Sequence, residues 1–285
     1  MIPYKMNNTN TKIIKVSGKN IENFFQNIIT NDINSLNKKT PLYTAMLSPQ
    51  GKYLHDFIML KDEGFYLLEA NQSNIELLVK EIKKYDIRND IFIEVQNDIY
   101  TKVIIKENLN RKFLKKIGDK KIYRDKKFLC LIDPRSENFL YRFWINEKLN
   151  ELAEFIFSDE SEVEEKRIYL KIPNSEIDLV YNKSFILNYN FENIKSLSFN
   201  KGCYIGQENT AKQKFRGTQK YSLQKIKITD GVAPKLNEDI FFNGFKIGTM
   251  KSSCAKVCLC LIRNDTINNN TKTITTDNNF TFEIL

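Results

Sequence analysis

One short stretch of the chain, KGCYIGQE at positions 201–208, holds the residue types best suited to chemistry. Its thiol, Cys203, follows Lys201 and Gly202, and a neighbouring ammonium group favours the thiolate, which is the nucleophilic and metal-binding form. The flanking glycines indicate a loop at a surface or cleft rather than a periodic helix or an alternating strand. These residues predict a functional thiol, with a structural loop cysteine as the alternative.

The remaining cysteines have more ordinary surroundings. Cys130 lies in the apolar run FLCLI, and Cys258 and Cys260 are two apart in an alternating strand, hence on one face. Free cysteines in such runs behave as small buried hydrophobes, although CAKVCLCLI also permits a metal or cluster interpretation. Because the chain has one histidine, His55, a multi-histidine site is impossible, and we expect no stably bound metal.

Composition limits the class of protein. The 285 residues are 41% hydrophobic and 28% charged, and no segment approaches the roughly 18 consecutive apolar residues that span a bilayer. The first twelve residues show neither a secretory signal nor an Arg-rich presequence. Five cysteines, an odd number, argue against a disulfide framework. The sequence therefore predicts a soluble, cytoplasmic, monomeric protein with reduced thiols and no membrane partner.

The formal net charge of +9 raises the question of an anionic partner such as nucleic acid. Lysine recurs along the whole chain beside abundant Asn and Ile, as a biased codon usage would also produce. We therefore expect no nucleic-acid partner, and an RNA-associated role is kept only as an alternative.

The elements that must position Cys203 interleave helices and strands without the spacing of a doubly wound sheet, which predicts an α+β fold. The clearest helix carries one apolar stripe, made by Ile21, Phe24, Phe25, Ile28 and Ile29. Two strands surround the turn SPQG, where Pro49 presets φ and Gly51 permits a positive φ. From Tyr221 onward, short alternating runs predict a small β-barrel. The predicted domains are therefore residues 1–220, with two interleaved lobes, and 221–285.

KGCYIGQE also resembles the signature of the YgfZ-type folate-binding proteins, relatives of the glycine-cleavage aminomethyltransferase that act in maturation of iron-sulfur proteins. The resemblance covers nearly the whole chain, through FFQNIITNDI at 24–33, LSPQGKYLHDFIML at 47–60, YDIRNDIFIEV at 85–95, FRG at 215–217 and CLCLIRND at 258–265. It implies an aminomethyltransferase-like folate-binding fold with a ferredoxin-like core, a third lobe, a C-terminal β-barrel and a central folate channel.

Carried over by position, the resemblance makes Cys203 the motif cysteine and tetrahydrofolate the cofactor. The folate-binding residues it implies are Asp56, Lys201, Gly202, Tyr204, Gly206, Gln207, Glu208 and Arg216. Gln207 and Glu208 offer the donor and acceptor edges that a pterin needs. Arg216 suits the carboxylates of the folate tail, with a solvated basic loop as the alternative.

The chain departs from the related aminomethyltransferases at GKYLHDFIM. Those enzymes carry two adjacent acids where this chain has His55 and Asp56, so one acid is replaced. We therefore expect transferase activity to be absent, although Asp56 can still hold a pterin nitrogen by a charge-assisted hydrogen bond. His55 is interpreted as a surface residue.

Together these observations predict a tetrahydrofolate-binding accessory protein for assembly or repair of 4Fe-4S clusters, with client enzymes and the cluster-assembly machinery as partners. Two alternatives remain open: an active folate-dependent aminomethyltransferase, and an RNA-associated protein of tRNA modification. The sequence also leaves open whether Cys203 ligates iron, reduces a partner or shapes its loop.

Overall fold

A computed structural model describes residues 10–146, 152, 155–268 and 273–285. Residues 1–9, which carry most of the segment examined for a targeting signal, lie outside the described part. The strands are β1 (Thr11–Gly18), β2 (Leu42–Leu47), β3 (Tyr53–Lys61), β4 (Phe65–Asn71), β5 (Ile91–Gln96), β6 (Ile99–Ile105), β7 (Ile122–Arg124), β8 (Phe128–Ile132), β9 (Leu140–Asn146), β10 (Tyr221–Asp230), β11 (Asp239–Phe242), β12 (Phe245–Cys254), β13 (Val257–Arg263), β14 (Thr273–Thr275) and β15 (Thr281–Ile284). The helices are α1 (Ile21–Ile28), α2 (Ile75–Tyr85), α3 (Arg111–Ile117), α4 (Glu160–Tyr169), α5 (Gln207–Phe215) and α6 (Asn264–Asn268).

The first sheet has five strands in the order β2-β3-β4-β1-β5. Strand β1 is antiparallel to both β4 and β5, and β3 is antiparallel to β4. The succession β1-α1-β3-β4-α2-β5 with this order is the ferredoxin-like arrangement. The expected α+β class and ferredoxin-like core are therefore confirmed.

Helices α1 and α2 cover one face of this sheet. The predicted stripe is confirmed, because Ile21, Phe25 and Ile28 are buried, and they pack with Phe57 and Leu68 of the sheet. A fully buried side chain of this size contributes about 1.5–3 kcal/mol relative to exposure. Burial of this apolar stripe thus holds α1 against the five-stranded sheet.

The hairpin between β2 and β3 turns as the sequence predicts. Gly51 has φ +74° and donates its N–H to the carbonyl of Ser48 at 2.8 Å, and Ser48 in turn donates to the carbonyl of Lys52 at 2.8 Å. Glycine adopts a positive φ at the lowest cost, and a Cβ at Gly51 would lie 2.9 Å from the Cβ of Asn209.

A second antiparallel sheet has the order β6-β9-β8-β7. Its core with α3 is aromatic: Phe113, Phe128, Phe143 and Phe155 are buried together, and the ring centroids of Phe143 and Phe155 are 4.8 Å apart. Asn110 begins α3 by accepting the N–H of Phe113 at 2.8 Å. Cys130 belongs to this core, as the sequence predicts.

The strands after residue 220 form a six-stranded sheet in the order β11-β12-β13-β10-β15-β14. The sheet curls, because Asp277, in the turn before β15, donates its N–H to the carbonyl of Phe241 on the edge strand β11 at 2.9 Å. Cys258 and Cys260 lie in its interior. The result is the partly closed form of the expected C-terminal barrel.

By compactness the chain divides into two interleaved units. Unit 1 comprises residues 1–46, 55–163 and 195–205, and unit 2 comprises residues 47–54, 164–194 and 206–285. The division at residue 220 remains a prediction. Within the described ranges, no helix has the length and apolar character to cross a membrane.

Candidate functional site

Cys203 lies on the loop that precedes α5 and is the exposed one of five cysteines, all of which the structure describes. Cys254 is partly exposed and the other three are buried. Burial raises the pKa of Cys258 to about 11 and raises the pKa values of Cys130 and Cys260 well above the ordinary value. Buried, protonated thiols are unreactive, so Cys203 is the thiol that solvent reaches most readily.

Lys201 anchors the loop to the end of α1. Its Nζ donates to the carbonyl oxygens of Gln26 at 2.7 Å, Ile29 at 2.7 Å and Asn31 at 2.8 Å. Burial lowers the pKa of Lys201 to about 8, although the charge of Asp32 favours the ammonium form. A lysine that satisfies the last carbonyls of a helix is a C-terminal cap. The geometry thus gives Lys201 a structural role, and its contact with folate stays a prediction.

Contacts with unit 1 also hold the residues that follow the thiol, Tyr204 and Ile205. Tyr204 is buried, 6% exposed, with the Lys201 ammonium 4.9 Å from its ring centroid. Ile205 donates its N–H to the carbonyl of Asn27 at 3.0 Å. Gly202 is exposed, and a Cβ there would meet open space. Cys203 is therefore displayed between two fixed attachment points in unit 1.

Residues 207 and 208 do not continue the predicted loop: they open helix α5. Gly206 precedes the helix with φ +83°, and a Cβ added to it would lie 2.5 Å from the carbonyl oxygen of Ser48. Asn209 on the first turn donates to the carbonyl of Gln50 at 2.9 Å. Glycine at 206 is thus required by backbone conformation and by packing of the β2–β3 turn against α5, whereas its contact with folate remains a prediction.

The three charged side chains of α5 each form an ion pair. Glu208 is exposed and forms an ion pair with Lys212, whose hydrogen bond lowers the pKa of Glu208. Lys214 pairs with Glu192 at 2.6 Å. Arg216 is exposed at the end of the helix and has no ion pair among the described residues. Of the three cations after the motif, Arg216 is the best placed to receive an anion. Gln207, half-buried, and Glu208 stay predicted pterin contacts.

Asp56 lies on β3 and is half-buried. The hydroxyl of Tyr43 on β2 donates to its Oδ2 at 2.7 Å, and the guanidinium of Arg135 lies 5.6 Å from the centre of the Tyr43 ring. A carboxylate fixed on a strand by a neighbouring hydroxyl is a defined acceptor for N–H donors. This acceptor fits the N–H donors on the amide and amine edge of a pterin.

The interpretation of His55 as a surface residue is wrong, because its side chain is 3% exposed. Burial lowers the pKa of His55 to about 4, although Asp56 and Glu81 of α2 favour the charged form. Successive strand residues point to opposite faces, and His55 shares its face with Phe57, which packs with α1 and α2. The replaced acid therefore lies on the helix-covered face, and Asp56 lies on the other.

A buried charge network, which was not predicted from the sequence, lies on the same face of the sheet as Asp56. Glu69 of β4 accepts from Arg142 and, at 2.7 Å, from the indole of Trp144. Arg142 also donates to Asp133 at 2.9 Å, which binds Arg135 at 2.7 Å. A single charged residue inside an apolar strand, as in FYLLEA or YRFWIN, was the available signal.

The charge network keeps its acid ionised. Burial opposes ionisation of Asp133, but the charges of Arg135 and Arg142 outweigh burial and hold the pKa of that carboxyl well below its usual range. Arg135, bound by Asp133, is thereby held beside Tyr43. Within the described residues, no group of three or more His, Cys, Asp or Glu side chains is arranged to hold a metal ion.

Comparisons with known proteins address the resemblance. No protein-family profile matches the chain. It is 27% identical over 257 residues to the "Iron-sulfur cluster assembly factor IBA57 homolog, mitochondrial" of Neurospora crassa, covering 81% of this chain and 55% of the relative. It is 26% identical over 265 residues to the "tRNA-modifying protein YgfZ" of Buchnera aphidicola subsp. Baizongia pistaciae, covering 86% of this chain and 82% of that relative. The chain thus spans about half the length of the first of these relatives.

Among solved structures, the glycine cleavage system aminomethyltransferase T of Bartonella henselae is similar, with a TM-score of 0.76 and 12% identity, over 97% of this chain and 83% of that one. This likeness confirms the aminomethyltransferase-like fold. The sequence matches confirm the resemblance seen in the motif, and the chain is thus a homologue of proteins named IBA57 and YgfZ with the fold of an aminomethyltransferase.

Proposed function

We propose that the protein binds tetrahydrofolate and acts in the assembly or repair of 4Fe-4S clusters, with Cys203 as its functional thiol. The observation that carries the proposal is the display of Cys203. It is exposed while Lys201 and Tyr204 on either side of it are buried. A thiol held in this way reaches a partner without the entropy loss of ordering a flexible loop. The name of the Neurospora crassa relative supports the iron-sulfur part of the proposal.

Folate binding is proposed for unit 1, through Asp56. Tyr43 orients the Asp56 carboxylate, and the charge network ending at Arg135 holds the ring of Tyr43 in place. A carboxylate accepts two N–H bonds from the pyrimidine edge of a pterin. Bound tetrahydrofolate would supply a reduced pterin able to carry a one-carbon unit.

The cluster is cargo in this proposal. One thiolate provides one of the four ligands that a 4Fe-4S cluster takes. The remaining ligands must come from a client protein, an assembly partner or a small thiol. Cys203 is therefore a transient ligand at a point of transfer, and iron-sulfur clients and the assembly machinery are the proposed partners.

The folate half of the proposal is tested by anaerobic titration calorimetry with tetrahydrofolate. We expect saturable binding by the wild type, at least about tenfold weaker binding by Asp56→Asn, because a charge-assisted hydrogen bond contributes about 1.5–3 kcal/mol, and unchanged binding by Cys203→Ser. Absence of wild-type binding at millimolar ligand, or equal affinity of Asp56→Asn, would contradict it.

The thiol half is tested by reactivation of an apo-enzyme that needs a 4Fe-4S cluster. Cys203→Ser should lose most of the acceleration that the wild type gives, and the matched control Cys254→Ser, which alters a partly exposed cysteine of the C-terminal sheet, should retain it. Equal activity of the two variants would show that the exposed thiol is not used.

A further inference from the structure

One segment of the chain carries a local excess of positive charge. Residues 111–127 contain nine of the 44 Lys and Arg residues of the chain and two Asp, so their local net charge is +7. Lysine recurs along the whole chain, as expected from the sequence, and this segment is a local cluster within that distribution. The segment comprises α3, β7 and the turn to β8, and it is named here the basic patch.

The fold turns these charges outward. All nine cationic side chains of the basic patch are exposed, because the apolar residues between them face the core: Phe113, Ile117 and Ile122 are 6%, 2% and 8% exposed. An open groove of about 800 Å³ runs along the patch. The lysines that line it are Lys39, Lys115, Lys116, Lys120 and Lys121.

Few of these charges are neutralised. Lys116 lies 3.8 Å from Asp125, Lys121 3.0 Å from Glu137, and Arg124 3.0 Å from Asp62. The other six cations of the patch make no ion pair within the part of the chain that the structure describes; they are Arg111, Lys112, Lys115, Lys120, Lys126 and Lys127. Like charges packed this closely repel one another, and a polyanion would relieve the repulsion.

We propose that the basic patch binds the phosphate backbone of an RNA helix. Tight protein interfaces centre on anchors that fill desolvated pockets, and amphipathic membrane binding needs an apolar face, whereas the patch presents exposed charges and its apolar side chains named above are buried. Single-strand binders need exposed rings for base stacking, but within residues 111–127 Phe113 is buried and Tyr123 is half-buried, with the Lys116 ammonium 5.1 Å from its ring centroid. Release of counterions from phosphates needs only exposed cations.

The test measures binding of a tRNA fraction as a function of salt concentration. The patch variant carries Lys112→Gln, Lys115→Gln, Lys120→Gln and Lys127→Gln. The matched control carries Lys220→Gln, Lys227→Gln, Lys235→Gln and Lys256→Gln, which are exposed positions outside the patch. Both variants lose four charges, so a difference between them reports position rather than net charge.

We expect the wild type to bind with a steep salt dependence, and the patch variant to bind at least about tenfold more weakly at 0.1 M salt, with a logarithmic salt slope smaller by about 3. The control should stay within about threefold of the wild type. The proposal is overturned by no tRNA binding at low salt, by equal losses in the two variants, by tighter binding to phosphatidylserine vesicles, or by equal binding of a single-stranded oligouridine. Since none of the substituted residues belongs to the proposed folate or thiol site, this result is independent of the proposed function.

Discussion

The two faces of the five-stranded sheet hold opposite chemistry. Between the sheet and its helices, Phe25 of α1 and Phe57 of β3 are at most 1% exposed, and His55 is buried on the same face as Phe57, where burial lowers its pKa to about 4. On the other face, Glu69 is 3% exposed but charged partners surround it. His55 and Glu69 are equally buried, so what distinguishes the two faces is the set of charged and polar partners that contact Glu69.

The largest effect is expected on the charged face. Arg142→Met removes the cation shared by Glu69 and Asp133 and should lower the free energy of unfolding by about 3–5 kcal/mol, because two buried carboxylates lose a partner. Urea unfolding measures this loss in the free energy of unfolding. The control Arg88→Met, at an exposed position, should change stability by about 0.5 kcal/mol or less. A loss below about 1 kcal/mol for Arg142→Met would mean that the network is not needed for folding.

On the helix-covered face, the expected effect depends on pH. The pKa of His55 is lowered by burial from 6.5 to about 4, so between these values the unfolded chain binds a proton that the folded chain does not. Stability from this group is therefore present above pH 6.5 and falls with acidification to pH 4, by about 3 kcal/mol in total.

Thermal or urea unfolding of wild type and His55→Gln, compared at pH 7 and pH 4, separates the contribution of His55 from that of the carboxylates. The variant should lose about 3 kcal/mol less than the wild type on acidification. Equal losses in the two proteins would place His55 in water rather than under the helices.

The smallest effect is expected where α1 ends. Lys201→Met leaves the carbonyls of Gln26, Ile29 and Asn31 without the ammonium donor and should cost about 2 kcal/mol at pH 7. Lys19→Met, at an exposed position just before α1, is the matched control and should be nearly neutral. Coinciding unfolding curves for the two variants would show that Lys201 does not cap α1. The predicted contact with folate would then be its remaining role.

Several features of the fold were predictable because they depend on local pattern. The helical stripe from Ile21 to Ile29 has the 3.6-residue period, the turn at Pro49 and Gly51 has its own backbone requirements, and Cys258 and Cys260 share a strand face. The exposed motif thiol also follows from glycine flanks. Each of these conclusions needs only residues that are close in the chain.

Other features depend on residues far apart in the chain. Lys201 binds carbonyls about 170 positions earlier, and Glu69 meets Arg142 73 positions later. His55 and Asp56 are adjacent, yet the pleat of β3 separates their environments. The sequence by itself predicted Cys203 as an accessible thiol in a glycine-flanked loop, and the resemblance added Asp56 as a predicted folate contact; the exposure of Cys203 agrees with that prediction. Only the tertiary structure decided which charges are buried with partners and which remain available, because solvation and pairing depend on neighbours that the fold brings together.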